Sequence, residues 1–390
     1  MNIDDEFRLE SGLTYLNHAA VSPWPQRTVT AVQQFAAENG TVGSSNYPQW
    51  LEVEARLRRR LSELLGVGSE EDIALLKNTS EGLSIIAHGL PWKQGDNVVT
   101  SDQEFPSNSM VWESLDRYGV TTRKVPLHSA DSSEEALMAA VDTDTRLLSI
   151  SSVQFGSGLK MDLPRLGAFC RERDILFCVD AIQSLGALQF DGTAIEADFI
   201  VADGHKWMMA PEGCALFYST PIAREQLQLH QYGWHMREAL YEFDSESSCE
   251  QSGCCSDIPN WSRAESARRF EPGSPNMLGI HGLEASLSLL QELGMKQVEQ
   301  QILQHSRYLI DAIQSHPKLN LITPEAENRH AGIVTFSITN RESAVVHEQL
   351  TQQGIQCAVR AGGVRLSPPF YTTSEQLQQA FTILERIISQ

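Results

Sequence analysis

The chain has 390 residues, 41% of them hydrophobic and 21% charged, with a formal charge of −20. This length supports two domains with a substantial core and excludes a single small module. The acidic excess repels nucleic acid and anionic lipid, so neither is an expected partner, and by itself it reads as a solubility device.

The opening residues MNIDDEFRLE are acidic and lack the apolar core of a signal peptide. No stretch has the apolar length of a membrane span. Cys170, Cys178, Cys214 and Cys357 sit in apolar runs, the usage of free thiols in a reducing compartment. A cytoplasmic location is expected.

Along the chain, an entry segment (Tyr15-Leu16-Asn17-His18-Ala19-Ala20) precedes two helices. The clearer one carries Trp50, Val53, Leu57, Leu61 and Leu64 at helical spacing and stops at Gly66. Short β-rich runs follow at 73–76, 97–100, 147–151, 175–179, 199–202 and 214–218, with helical patterns between most of them. Such alternation predicts an α/β fold: a large domain (20–262) whose mostly parallel central sheet is sandwiched by helices. From Phe243 to Ala264 the pattern fails, and a long loop or insertion is expected. Helices at 278–293, 298–315, 343–353 and 374–388, with strands at 332–338 and 356–360, predict a smaller α+β C-terminal domain (263–390), joined by residues 1–19.

The most informative stretch runs from Ile175 to Gly213. One apolar strand ends at Asp180 and the next runs into Gly204-His205-Lys206. As parallel neighbours they bring a carboxylate and a lysine to the carboxyl edge of the sheet, where open α/β sheets bind cofactors. Pyridoxal phosphate (PLP) needs that pairing, a lysine for the Schiff base and an acid for the pyridinium nitrogen. A lone lysine is usually a solvated charge, but Lys206 is followed by Trp207-Met208-Met209, and desolvation there lowers its pKa. Gln183 reads either as a partner for the ring oxygen or as a solvated helix residue.

Asn78-Thr79-Ser80-Glu81-Gly82 opens a helix after a strand, either as an anion site or as a plain cap. A second Gly/Ser turn, Pro272-Gly273-Ser274, precedes another helix. Phe105 is placed either to stack on a planar cofactor or to fill the core. Arg360 and Arg365 flank Gly362-Gly363, and arginine is the natural bidentate partner of a substrate carboxylate.

Together these residues resemble the class V aminotransferase group of fold-type I PLP enzymes, which includes cysteine desulfurases, selenocysteine lyases and isopenicillin N epimerase. The likeness spans Leu16-Asn17 to Tyr371-Thr372-Thr373 and is most specific at Asp180, Gln183 and His205-Lys206. It implies that Lys206 carries PLP, that Asp180 pairs with the ring nitrogen and that Gln183 contacts the ring oxygen. It places Thr79, Ser80 and His205 on the phosphate and Phe105 on the ring, with Gln154 nearby. Arg365 is then the carboxylate clamp. A homodimer is implied, with Ser274 reaching the phosphate of the neighbouring subunit.

Three departures qualify the likeness. Phe105 stands where desulfurases stack a histidine. Their nucleophilic cysteine loop is missing, because Gly362-Gly363-Val364 runs straight into Arg365. Asp203 stands where they often carry a phosphate-binding serine, and repulsion predicts that its side chain points elsewhere. No metal site is expected: Cys249, Cys254 and Cys255 with His235 match no common zinc spacing. The expected activity is PLP chemistry at Cα of an amino acid, transamination first, with C–S β-elimination or epimerisation as alternatives. A catalytically silent PLP-binding protein is the non-enzyme alternative. A nicotinamide dehydrogenase is excluded because no G-x-G-x-x-G follows an early strand.

Overall fold

The computed structural model describes residues 3–127, 133–238 and 261–389. In chain order the strands are β1 (Thr14–Tyr15), β2 (Ile73–Leu76), β3 (Asn97–Ser101), β4 (Thr121–Val125), β5 (Thr145–Ser151), β6 (Leu176–Asp180), β7 (Phe199–Asp203) and β8 (Ala215–Ser219). After them come β9 (Leu319–Leu321), β10 (Val334–Ile338), β11 (Ile355–Gln356), β12 (Ala358–Arg360) and β13 (Gly363–Leu366). The first helices are α1 (Gln26–Val42), α2 (Tyr47–Leu65) and α3 (Thr79–Gly89).

Seven strands form the central sheet in the order β2-β8-β7-β6-β5-β3-β4. From β7 to β4 all neighbours are parallel, and β8 alone runs against them. Strand alternation divides the apolar side chains between two cores. Phe177, Val179, Ile200 and Ala202 face one; Leu176, Cys178, Phe199 and Val201 face the other. Both faces are therefore covered, as a parallel sheet requires. The α/β class expected from sequence is observed.

Helix α2 buries Leu57, Leu61 and Leu65 and ends at Gly66 in the left-handed region, φ 64°. A polar edge strand, β4 (TTRKV), was not expected, because its side chains are largely solvated and show no apolar run. A second sheet, β12-β13-β10-β9, is antiparallel throughout and has its own core with Leu309, Ile313, Leu377 and Leu384. Leu16 is buried in that core, β1 pairs with β11, and Ser367 N–H donates to Leu16 O at 2.8 Å. Helix Met277–Leu293 instead buries Ile280, Leu283, Leu287 and Leu290 in the large-sheet core. We propose that the two units divide after this helix rather than at residue 263.

The irregular stretch expected at 243–264, with Cys249, Cys254 and Cys255, lies outside the described residues except for 261–264. No described helix is long and apolar enough to cross a membrane.

One glycine fixes the spacing between the two strand ends that matter. Gly186 has φ +89°, and a Cβ there would lie 2.4 Å from Trp207 O. It lets the chain following β6 press against the turn that carries Lys206. Gly186→Ala is expected to cost about 2–3 kcal/mol, read as a lower urea midpoint with unchanged slope. An unchanged midpoint would show that this contact is slack.

Candidate active site

Asp180 is the last residue of β6, and β7 ends at Asp203 just ahead of Lys206. The β6–β7 register, Asp180 opposite Val201, brings both ends to one edge of the sheet. The Lys206 turn is tight: Met209 N–H donates to Lys206 O at 3.1 Å, and Met209 adopts φ 57°, unusual for a residue with a side chain. Asp180 Oδ1 accepts the Ile182 N–H at 3.1 Å, and no described cation forms an ion pair with this carboxylate within 4.0 Å.

Asp180 is 2% and Lys206 9% exposed. Burial disfavours the charged form of each. It pushes the Asp180 carboxyl up; the Ile182 N–H opposes this, and the carboxylates of Glu104 and Asp203 add to the rise. It drives the Lys206 amine down to about 8, with Asp180 opposing the fall and Arg365 reinforcing it.

A cavity of about 380 Å³ opens over these two groups. Thr79, Ser80, Phe105, Gln183, His205, Arg360 and Arg365 of the expected site all line it. At one end helix α3 begins. Asn78 caps it by accepting the Glu81 N–H at 2.9 Å, Ser80 Oγ donates to Ser107 Oγ at 2.8 Å, and buried Thr79 Oγ1 has no hydrogen-bond partner among the described residues. Free first-turn N–H groups and the helix dipole favour an anion there.

At the other end Arg365 is 1% exposed on β13. Its Nη1 donates to Phe155 O at 2.8 Å and its Nη2 to Asn17 Oδ1 at 3.4 Å, while Nε has no hydrogen-bond partner among the described residues. Burial, then Arg360, lowers its pKa to about 10. No described acid pairs with this guanidinium within 4.0 Å, an arrangement that invites a carboxylate from solution. Between the two ends Phe105, 42% exposed, turns its ring towards Lys206, with Nζ 5.5 Å from the centroid and Phe155 packed edge-on at 5.2 Å. Gln183 is held at both ends of its amide, donating to Ala19 O at 3.1 Å and accepting from Trp207 Nε1 at 3.0 Å.

Two expected residues lie apart. Gln154 is fully buried and does not line the cavity; its Nε2 donates to Glu104 Oε1 at 2.7 Å. Ser274 lines a separate cavity with Lys77, Glu81 and Gly213.

Asp203 corrects an expectation. Its side chain does not turn away but lines the cavity, with Oδ1 2.9 Å from His205 Nδ1. The approach is too oblique for a hydrogen bond, and neither atom has a hydrogen-bond partner among the described residues. Strand alternation is the cause: β7 pairs with β8 up to Asp203–Ala215, which fixes the side on which each residue emerges.

Glu104 was not anticipated. It is 8% exposed and accepts hydrogen bonds from Ser101 Oγ (3.1 Å), Asn108 Nδ2 (2.7 Å), Ser151 N–H (3.0 Å) and Gln154 Nε2 (2.7 Å), as well as Ser151 Oγ. This carboxylate is braced on Ser151, the β5 residue paired with Asp180, and no sequence signal marks it out among the surface acids.

The donor set fits PLP: a buried amine of lowered pKa and, among the described residues, a carboxyl without a cationic partner, an orphaned hydroxyl at a helix start and a guanidinium without an acid. The chain matches the family description Aminotransferase class-V over residues 14–379. A probable cysteine desulfurase from Methanothermobacter thermautotrophicus is 28% identical, over 96% of this chain and 94% of its own length. A cysteine desulfurase from Salmonella agona is 27% identical, over 96% of this chain and 93% of its own. The solved apo cysteine desulfurase from Thermococcus onnurineus NA1 superposes with a TM-score of 0.85 at 21% identity, covering 99% of this chain and 97% of that one.

The lowered Lys206 pKa has a direct readout. PLP uptake by apoprotein is expected to accelerate with pH through a midpoint near 8, well below that of an ordinary lysine. Arg365→Gln is expected to move that midpoint upward, because a nearby positive charge is removed. Stopped-flow absorbance measures both, and a midpoint near 10 would contradict the desolvated amine.

Proposed function

The chain belongs to the class V aminotransferase family of PLP-dependent enzymes, and from that premise we propose that it cleaves the C–S bond of a cysteine-type amino acid by β-elimination. The named activity of the relatives supports a sulfur amino acid as substrate, in preference to transamination. The observation that carries the choice within sulfur chemistry is the β12–β13 hairpin. It closes on Ala361-Gly362 with no cysteine in the loop ahead of Arg365, and Cys357, just before β12, is buried. The described cysteines are buried, and burial pushes every thiol up, those of Cys170, Cys214 and Cys357 to about 12. None is poised as a thiolate, so no described residue offers to store sulfur as a persulfide.

Bound PLP supplies an electron sink for a carbanion at Cα. The Arg365 guanidinium receives the substrate carboxylate and sets which Cα bond faces Lys206. Lys206 Nζ removes the Cα proton, and its lowered pKa keeps a usable fraction in the free-base form near neutral pH. Asp180 would hold the ring nitrogen protonated, a cationic partner that restores the carboxylate burial alone disfavours. Thr79, Ser80 and His205 would hold the phosphate, and Phe105 would cover the ring. As the C–S bond breaks, its electron pair passes to sulfur and the proton on Lys206 returns to the leaving thiolate. The released aminoacrylate takes up one water and yields pyruvate and ammonia.

Within one subunit Ser274 stays away from the cavity holding Lys206. That separation supports a homodimer in which the partner subunit's Ser274 completes the phosphate site.

The enzyme given L-cysteine or L-cystine is expected to release pyruvate and ammonia in equal amounts, and Cys357→Ser is expected to leave the rate unchanged. Arg365→Ala is expected to raise KM about 100-fold, the effect of losing one partner of a buried charge pair. Formation of a keto acid without ammonia would identify an aminotransferase instead. Loss of optical rotation without pyruvate would identify an epimerase.

A further inference from the structure

Away from the active site, three segments far apart in sequence bring potential metal ligands together. Glu54 lies on α2, His235 in the turn Trp234–Met236, and Glu271 beside the turn that carries Ser274. One ligand atom from each lies within 4.8 Å of the others, and all three side chains are buried. Exposure is 7% for Glu54, 1% for His235 and 4% for Glu271.

Arg58 serves this cluster only in part. It donates to Glu54 Oε1 at 2.6 Å and to both Glu271 oxygens at 2.7 Å, and Leu75 N–H also donates to Glu271 Oε1 at 2.7 Å. Arg58 bonds both carboxylates and Arg268 lies farther off, in the adjoining cavity; two carboxylates out of water are a costly arrangement unless cations compensate them. Among the described residues two buried atoms find no hydrogen-bond partner: Glu54 Oε2 and His235 Nδ1, the latter 3.6 Å from Glu271 Oε2. An adjoining cavity of about 350 Å³, lined also by Glu70, Glu71, Glu238 and Arg268, offers a route from solvent with an acidic surround.

We propose that Glu54, His235 and Glu271 bind a divalent first-row transition cation, with Zn²⁺ the simplest case. An imidazole with two carboxylates is a donor set for such ions. Ligand distances near 2.0–2.2 Å require edges of about 3.4 Å, so side-chain shifts of about an ångström close the site. The ion would tie α2 to the His235 turn and to the turn leading to Ser274. Those two turns already touch, since a Cβ at Gly233 would lie 1.9 Å from Pro272 O.

The test uses PLP-loaded enzyme stripped with chelator, then given Zn²⁺ or Co²⁺ and passed through gel filtration. One equivalent per chain is expected to stay bound, with Co²⁺ giving visible ligand-field absorption beyond the cofactor band. Glu54→Gln and His235→Ala, each read on protein whose cofactor band is intact, are expected to weaken binding at least tenfold. A Cys249→Ser, Cys254→Ser, Cys255→Ser triple variant is expected to bind as wild type. Retention below a tenth of an equivalent would overturn the proposal, because a proton or a water then closes the cluster. Retention lost in the cysteine variant, or unchanged in both ligand variants, would overturn it equally.

Discussion

An amine and a carboxyl group, both withdrawn from water at the ends of adjacent parallel strands, set the constraint on which the rest of this structure depends. Burial disfavours charge on Lys206 and on Asp180 alike. Each is therefore held ready for a partner that the described residues do not supply: an aldehyde for the amine and a cationic ring nitrogen for the carboxyl. Only a sheet covered on both faces withdraws two strand ends from water in this way. The alternation of Phe177 and Cys178, or of Ile200 and Val201, between two cores is thus part of the chemistry as well as of the fold.

The remaining elements close that pocket. The β12–β13 hairpin brings Arg360 and Arg365 over the strand ends, and the N-terminal segment holds the hairpin through Leu16, Asn17 and Ser367. Ser22 N–H donates to His205 O at 3.0 Å, so the same segment also braces the residue beside the lysine. Glu104, bonded to the Ser151 that pairs with Asp180, accepts from at least four neighbouring donors. Its negative charge keeps Asp180 dependent on a cationic partner.

How much of this was legible in the sequence follows from where the signal lies. Apolar runs such as Leu176–Asp180 and Phe199–Asp203 announce buried strands, and with them the meeting of Asp180 and Lys206. Helix α2 declares its end at Gly66, where only a left-handed residue fits. Strand β4 is hidden because a solvated edge needs no apolar pattern. Strand β13 is hidden because Gly362-Gly363 reads as a turn, although Gly363 already belongs to the strand. Local repulsion alone predicts that Asp203 turns away from the cavity, whereas strand alternation keeps it there. Glu104, Glu54, His235 and Glu271 acquire their roles only from tertiary contacts, and nothing in their neighbours along the chain signals it.

The most direct test of the central claim is to fix the cofactor where it sits. Enzyme loaded with PLP is reduced with borohydride, digested and mapped by mass spectrometry. The account predicts a phosphopyridoxyl group on the peptide containing Lys206, at close to one per chain and on no other lysine. A label on a different lysine, or none on Lys206, would contradict it.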